Sequence, residues 1–123
     1  MPVPTSSSAI TKSKQPFSTR RIRGELGVSQ ERLARACNVS SRTVERWEKN
    51  DTLPSSSEEI RCLERLDQIA ELGETVFGKE TFLRFMKLPH PIFDGRTPWE
   101  VIERGEAERV LGVLAAEYEG LGF

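Results

Sequence analysis

The chain has 123 residues, of which 37% are hydrophobic and 30% charged, and its formal net charge is −1. This length suits one domain or two very small ones, and the composition does not indicate disorder along the whole chain. No run of about 18 apolar residues occurs, so we expect no membrane-spanning segment and no membrane partner.

The N-terminal segment is rich in proline, serine and threonine. Such a composition buries too little apolar surface to fold, so residues 1–16 are predicted to form a disordered tail. The segment also lacks the apolar stretch of a secretory signal, which favours a cytoplasmic protein. The first helix is predicted to begin near Ser18 or Thr19 and to end at Gly27.

The residues from Gln30 to Lys49 predict two helices joined by a tight turn. Ala34 is small enough for the second helix to cross closely over it. Asn38 falls at the turn, where the backbone needs a positive φ that asparagine tolerates. Ser40 can cap the second helix by accepting a hydrogen bond from an early N–H group. The segment therefore predicts a helix-turn-helix, although an ordinary helical hairpin is the alternative.

The second of these helices is predicted to present a polar and basic face. Val44 and Trp47 are three residues apart and are expected to face inward, which leaves the other side chains outside. Such a face fits the major groove of DNA, and the N–H groups at the start of the preceding helix can hold a phosphate. The predicted DNA-binding residues are Ser29, Gln30, Ser40, Ser41, Arg42, Glu45 and Arg46.

The spacing of this segment closely resembles the Xre/Cro-like family of phage repressors and regulators. Asn38 stands where that family usually has glycine, and Glu48 follows Trp47 in a pair that is also typical of it. The resemblance implies that the chain binds double-stranded operator DNA. The positions that carry the resemblance are Gln30, Ala34, Asn38, Val39, Val44 and Trp47.

A polar, proline-containing stretch follows the second helix and cannot continue it, so a domain boundary is predicted there. The helix-turn-helix domain is predicted over residues 17–54, and a second helical domain over residues 55–123. A long helix opens the second domain, with Ser55 or Ser56 as its cap and Gly78 at its end.

The rest of the second domain is predicted to be helical as well. A short helix covers residues 79–87 and is broken by the prolines that follow it. The segment Thr97-Pro98-Trp99-Glu100 is a clear helix start, because threonine can cap, proline suits the first helical position and glutamate closes a capping box. The last helix is predicted from about residue 106 to residue 119. No strand-like alternation occurs, and the chain is predicted to be all-α: a small helix-turn-helix bundle followed by a helical domain.

The overall charge hides a difference between the two halves. Residues 1–49 carry ten lysines and arginines against four glutamates, a net charge of +6. Residues 50–123 carry eight basic and fifteen acidic residues, a net charge of −7. The basic half suits contact with phosphates, and the acidic half suits a protein partner.

The sequence offers little for catalysis or metal binding. Cys37 and Cys62 are two separate cysteines without a CxxC pair, and His90 is the only histidine. Neither a metal site nor a disulfide framework is therefore expected, and a reducing cytoplasm fits. No Ser/His/Asp set and no phosphate-binding loop is found, so we expect neither an enzyme nor a bound cofactor.

The second half resembles the C-terminal domain of the MbcA/ParS/Xre antitoxins. The family often has Trp-Leu where this chain has Phe85-Met86, which is a change between two large apolar pairs. The matching segments are Val76-Phe77-Gly78, Phe82 to Met86, Pro89, Phe93 to Pro98, Gly105, Val110 and Gly120 to Phe123.

This resemblance implies a function in a toxin–antitoxin system. Members of the family bind a RES-domain toxin, which attacks NAD by degrading it or by transferring ADP-ribose from it. They block the toxin's active site with their C-terminal part and repress their own operon as a complex. A cognate RES-domain toxin is thus the implied protein partner of this chain.

The C-terminal tetrapeptide is the candidate for blocking the toxin. Its two glycines let the backbone bend and approach a surface, and its leucine and phenylalanine are apolar anchors. The predicted toxin-binding residues are Tyr118, Gly120, Leu121, Gly122 and Phe123. A homodimer is also expected, because one helix-turn-helix reads only a half-site. The alternatives are a frayed chain end and a stand-alone regulator whose C-terminal half dimerises.

Overall fold

The computed structural model describes residues 18–50 and 54–120, and within these ranges it contains α-helices, one 3₁₀ helix and no strand. The predicted disordered tail over residues 1–16 lies outside them. The all-α fold class is confirmed. The helices are α1 (Thr19–Leu26), α2 (Gln30–Cys37), α3 (Ser41–Asn50), α4 (Ser57–Phe77), α5 (Lys79–Lys87), the 3₁₀ helix (Pro91–Phe93), α6 (Pro98–Glu103) and α7 (Ala107–Gly120).

Hydroxyl side chains cap the helices where the sequence predicts caps. The Ser29 Oγ accepts a hydrogen bond from the backbone N of Arg32 at 3.2 Å, and the Ser40 Oγ accepts one from the backbone N of Thr43 at 3.1 Å. Thr97 forms the predicted capping box, because its side chain and that of Glu100 each bind the other's backbone N–H. Each cap satisfies an N–H group that has no partner inside its helix.

The turn between α2 and α3 has the predicted conformation. Asn38 has a φ of 58° and a ψ of 45°, which is the left-handed region that asparagine tolerates. Its two neighbouring helices then cross with Ala34 buried between them. Val44 and Trp47 face inward as predicted, with 0% and 4% of their surface exposed.

One hydrophobic core spans both predicted domains. Helix α4 lies at its centre, where Leu63, Leu66, Ile69 and Ala70 are all buried. Buried side chains of α1 and α2 belong to the same cluster as those of α5 to α7. The division into domains 17–54 and 55–123 stays a prediction about the sequence, and the two parts pack against each other here.

A carboxylate of α6 also joins the two parts. The Glu103 Oε2 accepts a hydrogen bond from the indole Nε1 of buried Trp99 at 2.8 Å. The same oxygen lies 3.3 Å from Nε of Arg32 and 3.5 Å from Nε of Arg35, both on α2. Two arginines of the helix-turn-helix therefore share one carboxylate of the acidic half.

A close helix contact joins α4 and α5 at Gly73. The ring of Phe82 is fully buried and fills the space that a β-carbon of residue 73 would need, so that any side chain at this position would overlap the ring. Gly112 is also helical, but a β-carbon there would meet nothing within 4 Å. Only the first of these two glycines is required by packing.

This contrast gives a matched pair of substitutions. Gly73→Ala should destabilise the protein by about 1–3 kcal/mol, because the Phe82 ring must move out of a close-packed position. Gly112→Ala should be neutral or stabilising by up to about 1 kcal/mol, because alanine favours the helix and meets no neighbour. Urea unfolding of both variants measures the difference, and equal stabilities would contradict the packing argument.

Candidate functional site

The exposed face of α3 is the first candidate surface. Ser41, Arg42, Glu45 and Arg46 are all exposed on it, while Val44 and Trp47 hold the opposite face in the core. Lys49 is exposed as well and borders the same shallow groove as Arg42, Glu45 and Arg46. This lysine is not among the DNA-binding residues predicted from the sequence. Its spacing of three residues from Arg46 places both on one face of the helix.

The cations of this face are available for a ligand. Within residues 18–50 and 54–120, no salt bridge uses Arg42, Arg46 or Lys49. Glu45 is the one carboxylate among these four neighbours. A polyanion that approaches α3 therefore meets three cations without a salt bridge among the described residues, which suits phosphate contact.

The other predicted DNA-binding residues have structural roles here. The hydroxyl groups of Ser29 and Ser40 cap α2 and α3, and the Ser40 Oγ also lies 3.0 Å from the Thr43 Oγ1. The side-chain amide of Gln30 donates to Glu48 at 3.0 Å. What remains for a phosphate at the start of α2 is the backbone N–H groups and the positive end of the helix.

Glu48 holds the helix-turn-helix together. Only 3% of its side chain is exposed, and its two oxygens face Arg23 of α1 at 2.6 and 3.1 Å. Gln30 of α2 donates to the same carboxylate, and Arg20 lies 3.9 Å from it. Burial raises the pKa of Glu48, but the hydrogen bonds from Arg23 and Gln30 and the arginine charges outweigh it and lower the pKa overall.

A groove on the C-terminal half is the second candidate surface. It has a volume of about 640 Å³, and its walls are mainly apolar. Leu88 and Ile92 lie on it with 53% and 61% of their surface exposed, so two large apolar side chains share one exposed patch. Arg84 and Glu117 supply charge beside it. The sequence signal for this groove is the apolar residues among the prolines that follow α5, but the prolines predict only a helix break.

The predicted toxin-binding residues start beside this groove. Tyr118 is half-buried and borders a second shallow groove with Leu72 and Leu111, while its neighbour Glu117 borders the first. Gly120 is exposed and is the last residue of α7. Leu121, Gly122 and Phe123 lie outside the described residues. The C-terminal end of α7 thus lies between the two grooves.

Neither a metal cluster nor a membrane-spanning helix occurs between residues 18 and 50 or between residues 54 and 120. These ranges contain no group of three or more histidine, cysteine, aspartate or glutamate side chains that could hold a metal ion. In the same part of the chain, every helix is too short or too polar to cross a membrane.

Two family models match this chain, one after the other. Residues 20–72 match the helix-turn-helix model, and residues 72–120 match the model of the Xre/MbcA/ParS antitoxin C-terminal toxin-binding domain. The protein is therefore a helix-turn-helix protein with a toxin-binding domain. With both parts present in this order, the chain resembles the Xre/MbcA/ParS antitoxins.

Individual relatives share about a quarter of the aligned residues with this chain. The mycobacterial cidal antitoxin MbcA, from both Mycobacterium tuberculosis and Mycobacterium bovis, is 27% identical over 96 residues, covering 78% of this chain and 84% of the relative. A chain in the crystal structure of the M. tuberculosis MbcT–MbcA toxin–antitoxin complex superposes with a TM-score of 0.62. It is 24% identical, and the match covers 84% of this chain and 92% of that one, which shows a shared fold.

The buried carboxylate makes a test of the helix-turn-helix. At about pH 7, Glu48→Gln should lower the free energy of unfolding by about 1–3 kcal/mol, because Arg23 loses its charged partner. Because the folded state lowers the pKa of Glu48, its contribution is complete above the ordinary glutamate pKa of about 4.3. The contribution disappears as the pH falls below that value through the folded-state pKa.

The difference in the free energy of unfolding between the wild type and Glu48→Gln should therefore become smaller as the pH falls. Urea unfolding at about pH 7 and about pH 3.5 measures it. Glu45→Gln is the matched control, because Glu45 is exposed on the same helix and forms no salt bridge within the described residues. A difference that stayed constant with pH would show that the charge of Glu48 is not what stabilises this site.

Proposed function

We propose that this chain neutralises a cognate RES-domain toxin, which degrades NAD or transfers ADP-ribose from it, and represses its own operon by binding the operator. The observation that carries the proposal is the toxin-binding domain match over residues 72–120 behind a helix-turn-helix. The toxin would be covered on its active site by the C-terminal part of the chain. Nothing in the proposed mechanism requires a cofactor or a catalytic residue of this protein.

The unpaired cations of α3 support the DNA-binding part of the proposal. Arg42 stands near the start of α3 and Arg46 in its middle, where a recognition helix reaches base edges. Lys49 is at the far end of the helix and suits a phosphate contact. Ser29 and Gln30 would place the start of α2 against the DNA backbone through N–H groups. Ser40, Ser41 and Glu45 complete the proposed contact face.

The exposed apolar groove supports the toxin-binding part. Leu88 and Ile92 are displayed to solvent in a groove that Glu117 of α7 also lines, so a partner that covers them meets the end of α7. We place the body of the toxin on this groove and the segment from Gly120 to Phe123 in its active-site cleft. The excess of acidic residues over residues 50–123 would speed the encounter with a basic cleft that binds the NAD pyrophosphate.

A homodimer would bring two recognition helices to one operator. We place its interface on α4 and α7, where Leu72 and Leu111 are half-buried at the surface beside Tyr118. This position leaves the groove with Ile92 free for the toxin. Leu72 is also not among the fully buried residues of α4, so it can contact a further neighbour.

The first test concerns DNA. Arg42→Ala should weaken binding to the operator by about 1–3 kcal/mol if Arg42 reads a base. Arg104→Ala is the control: Arg104 is exposed in the C-terminal half and takes part in no salt bridge within the described ranges. A fluorescence titration at fixed salt measures both affinities. Unchanged affinity of the Arg42 variant would remove it from the DNA interface.

The second test separates the dimer from the toxin site. Light scattering should find a dimer for the wild type and a monomer for Leu72→Glu, because a carboxylate would be buried without a partner. Ile92→Glu should remain a dimer but bind the toxin less tightly. A monomeric wild type, or a dimer that Ile92→Glu breaks instead, would contradict the assignment of the two surfaces.

The third test concerns the C-terminal tetrapeptide. Toxin NAD consumption is followed with an excess of full-length protein or of a chain lacking residues 120–123. The truncated chain should inhibit at least about tenfold less, because binding through the groove leaves the active site open. Ala116→Ser, an exposed change one turn earlier on α7, should inhibit like the wild type. Equal inhibition by the truncated chain would assign the blocking role to the body of the domain.

A further inference from the structure

The two cysteines of the chain meet between the two halves. Cys37 is the last residue of α2, and Cys62 lies in the second turn of α4. Both are free thiols, and their Sγ atoms are 2.8 Å apart. The Cys62 thiol also lies 3.6 Å from the carbonyl oxygen of Ala36. Since a disulfide has an S–S length of about 2.05 Å, a shift of less than about 1 Å would join the two sulfurs.

The two thiols differ in their access to solvent. Cys37 is buried, with 8% of its surface exposed. Cys62 is half-buried and lines a surface cleft with Arg61, Arg65 and Gly105. A small oxidant can therefore reach Cys62 through this cleft, while Cys37 lies behind it.

The two thiols also differ in the direction in which their surroundings shift the pKa. The hydrogen bond from Cys37 lowers the pKa of Cys62 against the effect of burial, and the charge of Arg65, which also pairs with Glu108, lowers it further. The same hydrogen bond and burial raise the pKa of Cys37. The thiolate is the form that oxidants attack, so Cys62 is the more reactive member of the pair.

We propose that Cys37 and Cys62 are a reversible redox pair that a hydroperoxide converts into an intramolecular disulfide between α2 and α4. The Cys62 thiolate attacks one oxygen of the peroxide, breaks the O–O bond and becomes a sulfenic acid. The other oxygen takes up the proton that the thiol released. It leaves as water from hydrogen peroxide, or as an alcohol from an organic hydroperoxide. The Cys37 sulfur then attacks the Cys62 sulfur, and the sulfenic oxygen leaves as water with the Cys37 proton. Two thiols and one hydrogen peroxide thus give one disulfide and two waters.

The disulfide would close a loop that contains all of α3. The link joins positions 25 residues apart, and the recognition helix and the connection to α4 lie between them. Closing such a loop restricts the unfolded chain. The oxidised protein should therefore unfold at a temperature higher by roughly 10 °C, and dithiothreitol should reverse the shift. This reversible disulfide is a property separate from the proposed binding of toxin and DNA.

Intact-mass measurement on the purified full chain tests the proposal without toxin or DNA. After treatment with hydrogen peroxide and then iodoacetamide, the wild type should lack two hydrogen atoms and carry no alkyl group. Dithiothreitol should restore two alkylatable thiols. A product in which both thiols are alkylated, or in which two chains are cross-linked, would overturn the proposal.

The two serine variants test the order of the steps. In Cys37→Ser, the sulfenic acid on Cys62 has no resolving thiol, so dimedone should trap it. In Cys62→Ser, the remaining thiol is buried and should react with peroxide at least about tenfold more slowly than the wild type. Neither variant should show the thermal shift on oxidation. Reaction of Cys62→Ser at the wild-type rate would overturn the assignment of Cys62 as the attacked thiol.

Discussion

A buried carboxylate is the constraint on which the helix-turn-helix depends. Removing Glu48 from water is costly, and the cost is met only where Arg23 and Gln30 bind both of its oxygens. These two partners lie on α1 and α2, so the position of the recognition helix is fixed against both. The fixed helix then presents Arg42 and Arg46 outward with no salt-bridge partner among the described residues.

The net charge of the first half overstates how many of its cations are free to bind a ligand, because salt bridges within the protein use several of them. The first 49 residues carry a net charge of +6, but arginines of α1 and α2 are held by carboxylates within the protein. Arg23 is used by Glu48, Arg21 by Glu25 and Asp67, and Arg32 and Arg35 by Glu103, as the salt bridges show. Among the described cations of residues 18–49, those without a salt-bridge partner all lie on α3. The count shows that the first half is basic, and only the structure shows which of its described cations remain unpaired.

Contacts between residues that are close in the chain can be predicted from the sequence, and contacts between distant residues cannot. The caps at Ser29, Ser40 and Thr97 and the turn at Asn38 involve groups within a few residues of each other, and their chemistry is visible in the sequence. The contact between Arg32 and Glu103 joins positions 71 residues apart, and that between Cys37 and Cys62 joins positions 25 apart. Such pairs follow from how the helices pack, and periodicity carries no information about which partner each residue meets.

The groove on the C-terminal half shows why an exposed apolar residue can indicate a partner. The backbone at Ile92 is held in place, because Arg109 donates to its carbonyl oxygen at 3.1 Å and lies over the ring of buried Phe93. An inward movement of this backbone segment would therefore break these contacts. Binding to such a prearranged surface costs little conformational entropy, and it removes apolar area from water. Both terms favour a protein partner on this face, and they support placing the toxin there.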